Sequence, residues 1–223
     1  KNGQSFDIRT SRIVMDGPDR PGQYVLGVGE DMTDFRRTEA EKKWLARYDE
    51  LTGLLNRTSL SELLADCVGE GTPFAMLCVN LDRFRAVNEQ FGQAAGDAVL
   101  QEIGTRLQIL CGAQATIARV GGDEFLLILR DLNDAATLDR LACRIIRRIE
   151  ERIPEKLPGC TVSASVGIVL SEHYRNLTED RILHDADVAL YRSKYGGRGR
   201  VTILSEVLPV EPALPAGTVA QDD

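Results

Sequence analysis

The sequence predicts an α/β (α+β) fold in which helices flank a mixed β-sheet. Helix and strand patterns alternate through the central part of the chain, while a pair of strand patterns and a charged helix pattern precede them. With 223 residues, 43% of them hydrophobic, the chain is long enough for one full domain and a smaller piece.

Residues 1–32 are expected to form a β-hairpin. The segments "QSFDIRTSRIVM" and "GQYVLGVGEDMT" have strand character and are separated by Gly17, Pro18, Pro21 and Gly22. Two strands are not stable alone, so we expect this hairpin to complete a larger sheet or to pack on another element.

Residues 33–48 are expected to form a linker helix. Thr33 is a typical helix cap, and Asp34 would lie in the first turn. Trp44, Leu45 and Tyr48 form a short apolar seam in an otherwise charged segment. The seam allows two interpretations, a solvated linker or a short coiled coil through which two copies dimerise.

Residues 49–205 are expected to form the main domain, and residues 206–223, with three prolines and no periodicity, a tail or linker. Helix patterns cover "RTSLSELLADCV", "GDAVLQEIGTRLQIL", "DAATLDRLACRIIRRIEERI" and "TEDRILHDADVALYRSKY". Strand patterns cover "FAMLCVNL", the hairpin "ARVGGDEFLLIL", "CTVSASVGIVL" and "RVTIL".

Charge and composition exclude several classes. The net charge of −7 argues against nucleic-acid binding. No apolar run has the length of a membrane span and no signal peptide opens the chain, although a membrane segment upstream of Lys1 is left open. The five cysteines are scattered, as expected for reduced thiols in a cytoplasmic protein.

Three acidic residues and one asparagine stand at or just beyond the ends of two predicted strands. Asn80 and Asp82 close the strand Phe74–Leu81, while Asp123 and Glu124 follow the glycine turn of the hairpin. If these ends meet, the carboxylates would repel one another unless a cation neutralises them, and oxygen ligands select Mg²⁺ or Mn²⁺. Such a site suits nucleotidyl or phosphoryl transfer.

Other polar residues fit a nucleotide. Arg83 to Arg85 follow a strand end, where backbone N–H groups that open a helix can hold phosphate. A carboxylate and an amide from Asp97 and Asn88 could select guanine over adenine, because a carboxylate accepts from N1 and the exocyclic amine. The segment "RSKYGGRGRV" contributes Lys194, Arg198 and Arg200, and by itself would equally suit a solvated helix end.

Four motifs, in order, resemble the GGDEF family of diguanylate cyclases. They are "DELTGLLNR" (Asp49–Arg57), "NLDRFRAVNEQFGQAAGD" (Asn80–Asp97), "RVGGDEF" and "DADVALYRSKYGGRGRV" (Asp185–Val201). The first 32 residues and "EDMTDFRRTEAEKKW" similarly resemble the last strands of a PAS sensor domain and the signalling helix that follows it.

The resemblance implies a palm-like fold of the nucleotide-cyclase and polymerase type, and a reaction that joins two GTP molecules into cyclic di-GMP and pyrophosphate. Each subunit of a homodimer would hold one GTP, with the PAS part and the linker helix controlling the dimer. Asp123 would bind the metal and Glu124 would support catalysis. Further metal ligands would be the Leu81 carbonyl, Asn80 and Asp82.

The resemblance also assigns the substrate contacts. Asn88 and Asp97 would read guanine. Arg85, Lys194 and Arg198 would hold the triphosphate, and further contacts with the nucleotide would come from Phe84 and Gly122.

Three positions depart from the family pattern. Asn80 stands where an acid is usual, Arg85 replaces a lysine, and Gly112 and Ala115 replace the R-x-x-D motif of product inhibition. Asn80 favours a second hypothesis, a GTP-binding module without turnover that regulates an adjacent phosphodiesterase domain. The intact signature and the guanine residues favour a working cyclase.

Overall fold

The structure is a computed structural model that describes residues 8–16, 23–132, 134–151 and 160–204. It divides into two compact units, one up to Tyr48 and one from Asp49 onwards. Among the described residues, no helix combines the length and the apolar character of a membrane span.

The first unit contains the predicted hairpin and linker helix. Strands β1 (Ile8–Asp16) and β2 (Gln23–Asp31) pair antiparallel, and helix α1 spans Thr33–Arg47. The turn residues predicted between the strands lie outside the described residues. The predicted cap is wrong, because Met32 is the N-cap and Thr33 is already the first helical residue.

The second unit is built on a five-stranded mixed sheet, as the sequence predicted. Its strands are β3 (Phe74–Asp82), β4 (Ala115–Gly121), β5 (Glu124–Arg130), β6 (Ser163–Leu170) and β7 (Val201–Ile203), in the order β4-β5-β3-β6-β7. Neighbouring strands run antiparallel except for the parallel pair β6 and β7.

Helices cover both faces of this sheet. They are α2 (Arg57–Glu70), α3 (Phe84–Phe91), α4 (Gln93–Cys111), α5 (Ala135–Glu150) and α6 (Glu179–Tyr195). Three of them begin at polar caps, because Asn56, Asp134 and Thr178 each accept a hydrogen bond from a backbone N–H in the first turn. Helix α3 begins where a helix start was expected after the strand, but its extent was not predicted.

The central strand β3 divides the hydrophobic core into two layers, because successive side chains point to opposite faces of the sheet. Leu77 and Val79 face the layer covered by α3, α4 and α5, while Met76 and Cys78 face the layer under α2 and α6. Helix α6 lies directly on β6, since a Cβ at Gly167 would approach the Leu190 backbone nitrogen to 2.3 Å. This close approach fixes the helix that carries the basic residues of the candidate site.

Candidate active site

The end of β3 lies beside the tip of the β4–β5 hairpin. Antiparallel pairing places Asn80 opposite Glu124. One further backbone hydrogen bond, 3.1 Å from the Leu81 nitrogen to the Asp123 carbonyl, joins the strand to the turn. In that turn Gly122 has φ +47°, a conformation that favours glycine. Three of the predicted metal residues, Asn80, Leu81 and Asp123, therefore come together, with the predicted catalytic residue Glu124 beside them.

The side chain of Asn80 forms a hydrogen bond with Asp123, the aspartate of the "RVGGDEF" motif. Its Nδ2 donates to Oδ1 of Asp123 over 3.1 Å, and both side chains are half-buried. An amide in this place satisfies one carboxylate oxygen without a cation, whereas a second carboxylate would repel Asp123.

The buried residue Cys78 forms a hydrogen bond with Glu124, the glutamate of the "RVGGDEF" motif. The Cys78 thiol donates to Oε1 of Glu124 over 3.1 Å, and Asp187 of α6 lies close enough that one ligand atom from each of the three residues falls within 4.8 Å of the others. Burial, and then the charge of Glu124, raise the pKa of the Cys78 thiol well above its usual value. Cys78 therefore remains a protonated donor that orients Glu124.

Sequence reasoning overlooked this contact, although a signal was present. Cys78 precedes Asn80 by two residues in a strand, so both side chains lie on one face of the sheet.

The donor set at the strand end suits a hard divalent cation. Asp123 and Glu124 offer carboxylates, Asn80 an amide oxygen and Leu81 a backbone carbonyl, all of which are oxygen ligands. The residues present therefore fit Mg²⁺ or Mn²⁺.

Asp82 is bonded to the neighbouring strand and to the loop before β7. Its Oδ1 accepts from the Ser165 hydroxyl at 2.8 Å, and its Oδ2 accepts from the Gly199 backbone nitrogen at 3.0 Å. Nε of Arg198 lies 4.0 Å from Oδ1. Both oxygens thus have protein donors. The metal-ligand role of Asp82 stays a prediction, and the observed contacts give it a different task, which is to hold the loop that carries Arg198.

Two of the basic residues predicted to hold phosphate lie at the end of α6 and in the loop beyond it. Lys194 is half-buried, and Arg198 follows in the left-handed conformation with φ +65°. Together with the stacked, exposed rings of Tyr191 and Tyr195 they line a small cavity of about 310 Å³. Two cations at one cavity suit an anionic ligand.

The predicted guanine residues lie on the consecutive helices α3 and α4. Asn88 is half-buried on α3, and Asp97 is exposed on α4. Oδ1 of Asn88 is buried and accepts no hydrogen bond from the described residues. The ring of Phe84 is in the core, while Arg85 is 91% exposed and pairs with Glu89 at 2.8 Å. Of these two residues predicted to contact the nucleotide, Phe84 is therefore part of the core and Arg85 is a solvent-exposed cation.

A long-range ion pair fixes the hairpin tip. Arg119 donates to both carboxylate oxygens of Asp49, at 3.1 and 3.2 Å, and its Nε and Nη2 donate to the Gly122 carbonyl at 3.1 and 2.8 Å. Burial would raise the pKa of Asp49, but hydrogen bonds from Thr52 and Arg119 outweigh it and hold the pKa below its usual value. One arginine thus ties the turn that presents Asp123 to the start of the second unit.

Comparison with known proteins gives consistent results. The family model described as "Diguanylate cyclase, GGDEF domain" matches residues 46–200. The probable diguanylate cyclase DgcE of Escherichia coli K12 is 34% identical over 91% of this chain and 19% of its own length. The cyclic di-GMP phosphodiesterase PdeR of the same organism is 31% identical over 91% of this chain and 31% of its own length.

A solved structure supports the same relationship. The sensory box/GGDEF family protein of Caulobacter crescentus CB15 is 37% identical, with a TM-score of 0.61, over 68% of this chain and 99% of that one. The chain covers almost all of this Caulobacter crescentus structure, but it spans only 19% of the length of DgcE and 31% of the length of PdeR.

Proposed function

Because the chain belongs to the GGDEF family of diguanylate cyclase domains, we propose that it joins two GTP molecules into cyclic di-GMP and pyrophosphate across a homodimer. One observation carries the proposal. Asp123 and Glu124, at the tip of the β4–β5 hairpin, lie beside the end of the central strand β3. Fold alone would not decide the reaction, since one fold hosts many functions.

The strand end would hold the divalent cation. Asp123 would be its main ligand, with the Leu81 carbonyl and the amide oxygen of Asn80 beside it, and Glu124 would be steadied by the Cys78 thiol. When bound, Mg²⁺ or Mn²⁺ offsets the charge of the triphosphate and of the developing transition state. Asp82 would act through Arg198, because its hydrogen bond to Gly199 holds the loop in place.

Side chains of three helices would hold the nucleotide. Lys194, at the end of α6, and Arg198, in the loop beyond it, are the cations for the triphosphate. Asp97 and Asn88 would pair with the guanine edge. Oδ1 of Asn88 is buried without a partner among the described residues, which indicates that the placement of this amide does not serve the fold. Phe84 would support this pocket from the core, while Arg85 would have to leave Glu89 to reach a phosphate.

The proposed chemistry requires two copies of the domain. Each copy would present one GTP, so that each 3′-hydroxyl attacks the α-phosphate held by the other copy. Trp44 and Leu45 of α1 are 41% and 44% exposed and would contribute to pairing of the linker helices. Control by an upstream PAS domain and a cytoplasmic location belong to the same proposal.

A second function is favoured by one observation. The amide of Asn80 satisfies Oδ1 of Asp123 in the place where the family pattern has an acid, so the domain would bind GTP and regulate an adjacent phosphodiesterase domain without turnover. PdeR, one of the relatives, is named as a phosphodiesterase.

Product analysis separates the two functions. Purified protein is incubated with GTP and Mg²⁺ or Mn²⁺, and cyclic di-GMP and pyrophosphate are quantified by chromatography. ATP serves as the substrate control and Asp123→Ala as the inactive control. Formation of cyclic di-GMP above the Asp123→Ala level is expected. A dimer that binds GTP and forms no product above that level would favour the regulatory module.

A further inference from the structure

Gly96 of α4 lies against the amide of Asn88. A Cβ built on Gly96 would lie 1.8 Å from Oδ1 of Asn88, 3.0 Å from its Cγ and 3.1 Å from Cζ of Phe84. No heavy atom tolerates a neighbour at 1.8 Å, whereas the Phe84 ring needs to shift only by a few tenths of an ångström. The Asn88 amide therefore occupies the space that any other residue at position 96 would fill.

Backbone conformation does not explain this glycine. Gly96 is the fourth residue of α4 and is absent from the positive-φ glycines of the described chain. In the interior of a helix, glycine is less favourable than alanine. The contact with Asn88 is the feature at this position that an alanine could not reproduce.

The state of the Asn88 amide indicates what the contact serves. Its Oδ1 is buried against Gly96 and accepts no hydrogen bond from the described residues. A buried acceptor without a partner opposes folding, so this placement of the amide does not serve stability. Asp97, the second predicted guanine residue, directly follows Gly96.

We propose that Gly96 is a positioning residue for base recognition, which acts by leaving room for the Asn88 amide to lie beside Asp97 in the orientation that a guanine base requires. The inference rests on the proposed function, because it takes GTP as the ligand. It adds that specificity depends on a residue that itself has no side chain to contact the base.

The test measures GTP and ATP binding to the full chain by calorimetry. Gly96→Ala is expected to weaken GTP binding by about tenfold or more, the loss of one hydrogen bond or more to the base, with little change for ATP. Gly104→Ala is the matched control, since it lies in the same helix and its Cβ would come no closer than 3.4 Å to Leu54 and Thr52. This control is expected to bind GTP as the parent does.

A double-mutant cycle distinguishes positioning from simple helix damage. Once Asn88→Ala has removed the clashing amide, adding Gly96→Ala is expected to leave GTP affinity unchanged. If Gly96→Ala lowers GTP affinity by the same factor with and without Asn88, it does not act through Asn88 and the inference is overturned.

The outcomes for the two proposals differ. A parent that binds GTP and ATP equally contradicts the proposed function. A parent that prefers GTP, together with a folded Gly96→Ala variant of parental GTP affinity, overturns the inference and leaves the proposed function standing.

Discussion

Nδ2 of Asn80 and Oδ1 of Asp123 lie 3.1 Å apart and form a hydrogen bond at the tip of the β4–β5 hairpin. The bond lets two polar side chains share the strand end without a cation. In a family whose pattern has an acid at this position, the chain therefore carries a site with one anion fewer but with its two side chains bonded to each other.

The first prediction concerns the stability of Asn80→Asp. Its carboxylate would face Asp123 at close range, so in the presence of a chelator we expect the melting temperature to fall by roughly 2–4 °C, equivalent to about 1 kcal/mol. Mg²⁺ or Mn²⁺ should remove the difference. Gln108→Glu, which adds the same charge at an exposed position of α4, should respond to neither treatment. A melting temperature of Asn80→Asp that is independent of metal would contradict the placement of a cation here.

The second prediction concerns guanine selection. Asp97→Ala should weaken GTP binding by about 1–3 kcal/mol, because the donors of the base edge lose their acceptor. ATP binding should hardly change. Asp139→Ala removes an exposed acid from α5 and should bind both nucleotides as the parent does. Equal GTP and ATP affinities in the parent, measured by calorimetry, would rule out the assignment of Asp97.

The third prediction is that product feedback is weak. Gly112 and Ala115 stand where an arginine and an aspartate would form the product-inhibition motif. Without this pair there is no guanidinium to hold a guanine and a phosphate of the product. Titration with cyclic di-GMP should show no tight, saturable site on the domain. Submicromolar binding that survives Asp123→Ala would overturn this prediction.

The fourth prediction uses the pH dependence of stability. Hydrogen bonds from Thr52 and Arg119 hold the pKa of Asp49 below its usual value of 3.8. A carboxylate with a lowered pKa stabilises the fold above the unfolded pKa, and the stabilisation is lost as pH falls through the folded pKa. Asp49→Asn should therefore cost about 1–3 kcal/mol near neutral pH.

Urea unfolding of the parent and of Asp49→Asn at several pH values checks this prediction. The difference in the free energy of unfolding should be constant from neutral pH down to about pH 5 and should shrink below about pH 4. A difference that grows on acidification would show that Asp49 stabilises the fold by some other means.

Much of the fold could be predicted from the sequence, because strands buried on both faces leave continuous apolar runs such as Phe74–Leu81. The extent of helix α3 was not predicted, since its eight residues give little more than two turns in which a pattern can be recognised. The helix predicted to end at Ile153 stops at Glu150. Helix ends depend on local caps more than on apolar periodicity.

The contacts of the candidate site could be predicted where neighbouring strands bring the residues together. They could not be predicted where segments distant in sequence meet. Sequence reasoning could bring Asn80 near Asp123, because the two lie at facing strand ends. It could not find the partners of Asp82, which come from β6 and from a loop more than a hundred residues away. The pair Arg119 and Asp49, 70 residues apart, is of the same kind.

The central claim is that the site makes cyclic di-GMP and that Asn80 limits its rate. The loss of an ionic metal ligand costs about 3 kcal/mol, which corresponds to more than about a hundredfold in rate. The parent should therefore turn over slowly, and faster with Mn²⁺ than with Mg²⁺. Asp123→Ala should remove the activity.

The most direct test is the initial rate of cyclic di-GMP formation by Asn80→Asp and by the parent, measured at saturating GTP with both proteins confirmed as folded dimers. Asn80→Asp should be faster by about two orders of magnitude, the factor expected when an ionic ligand worth about 3 kcal/mol is restored. An Asn80→Asp variant that binds GTP but makes cyclic di-GMP no faster than the parent would contradict this prediction.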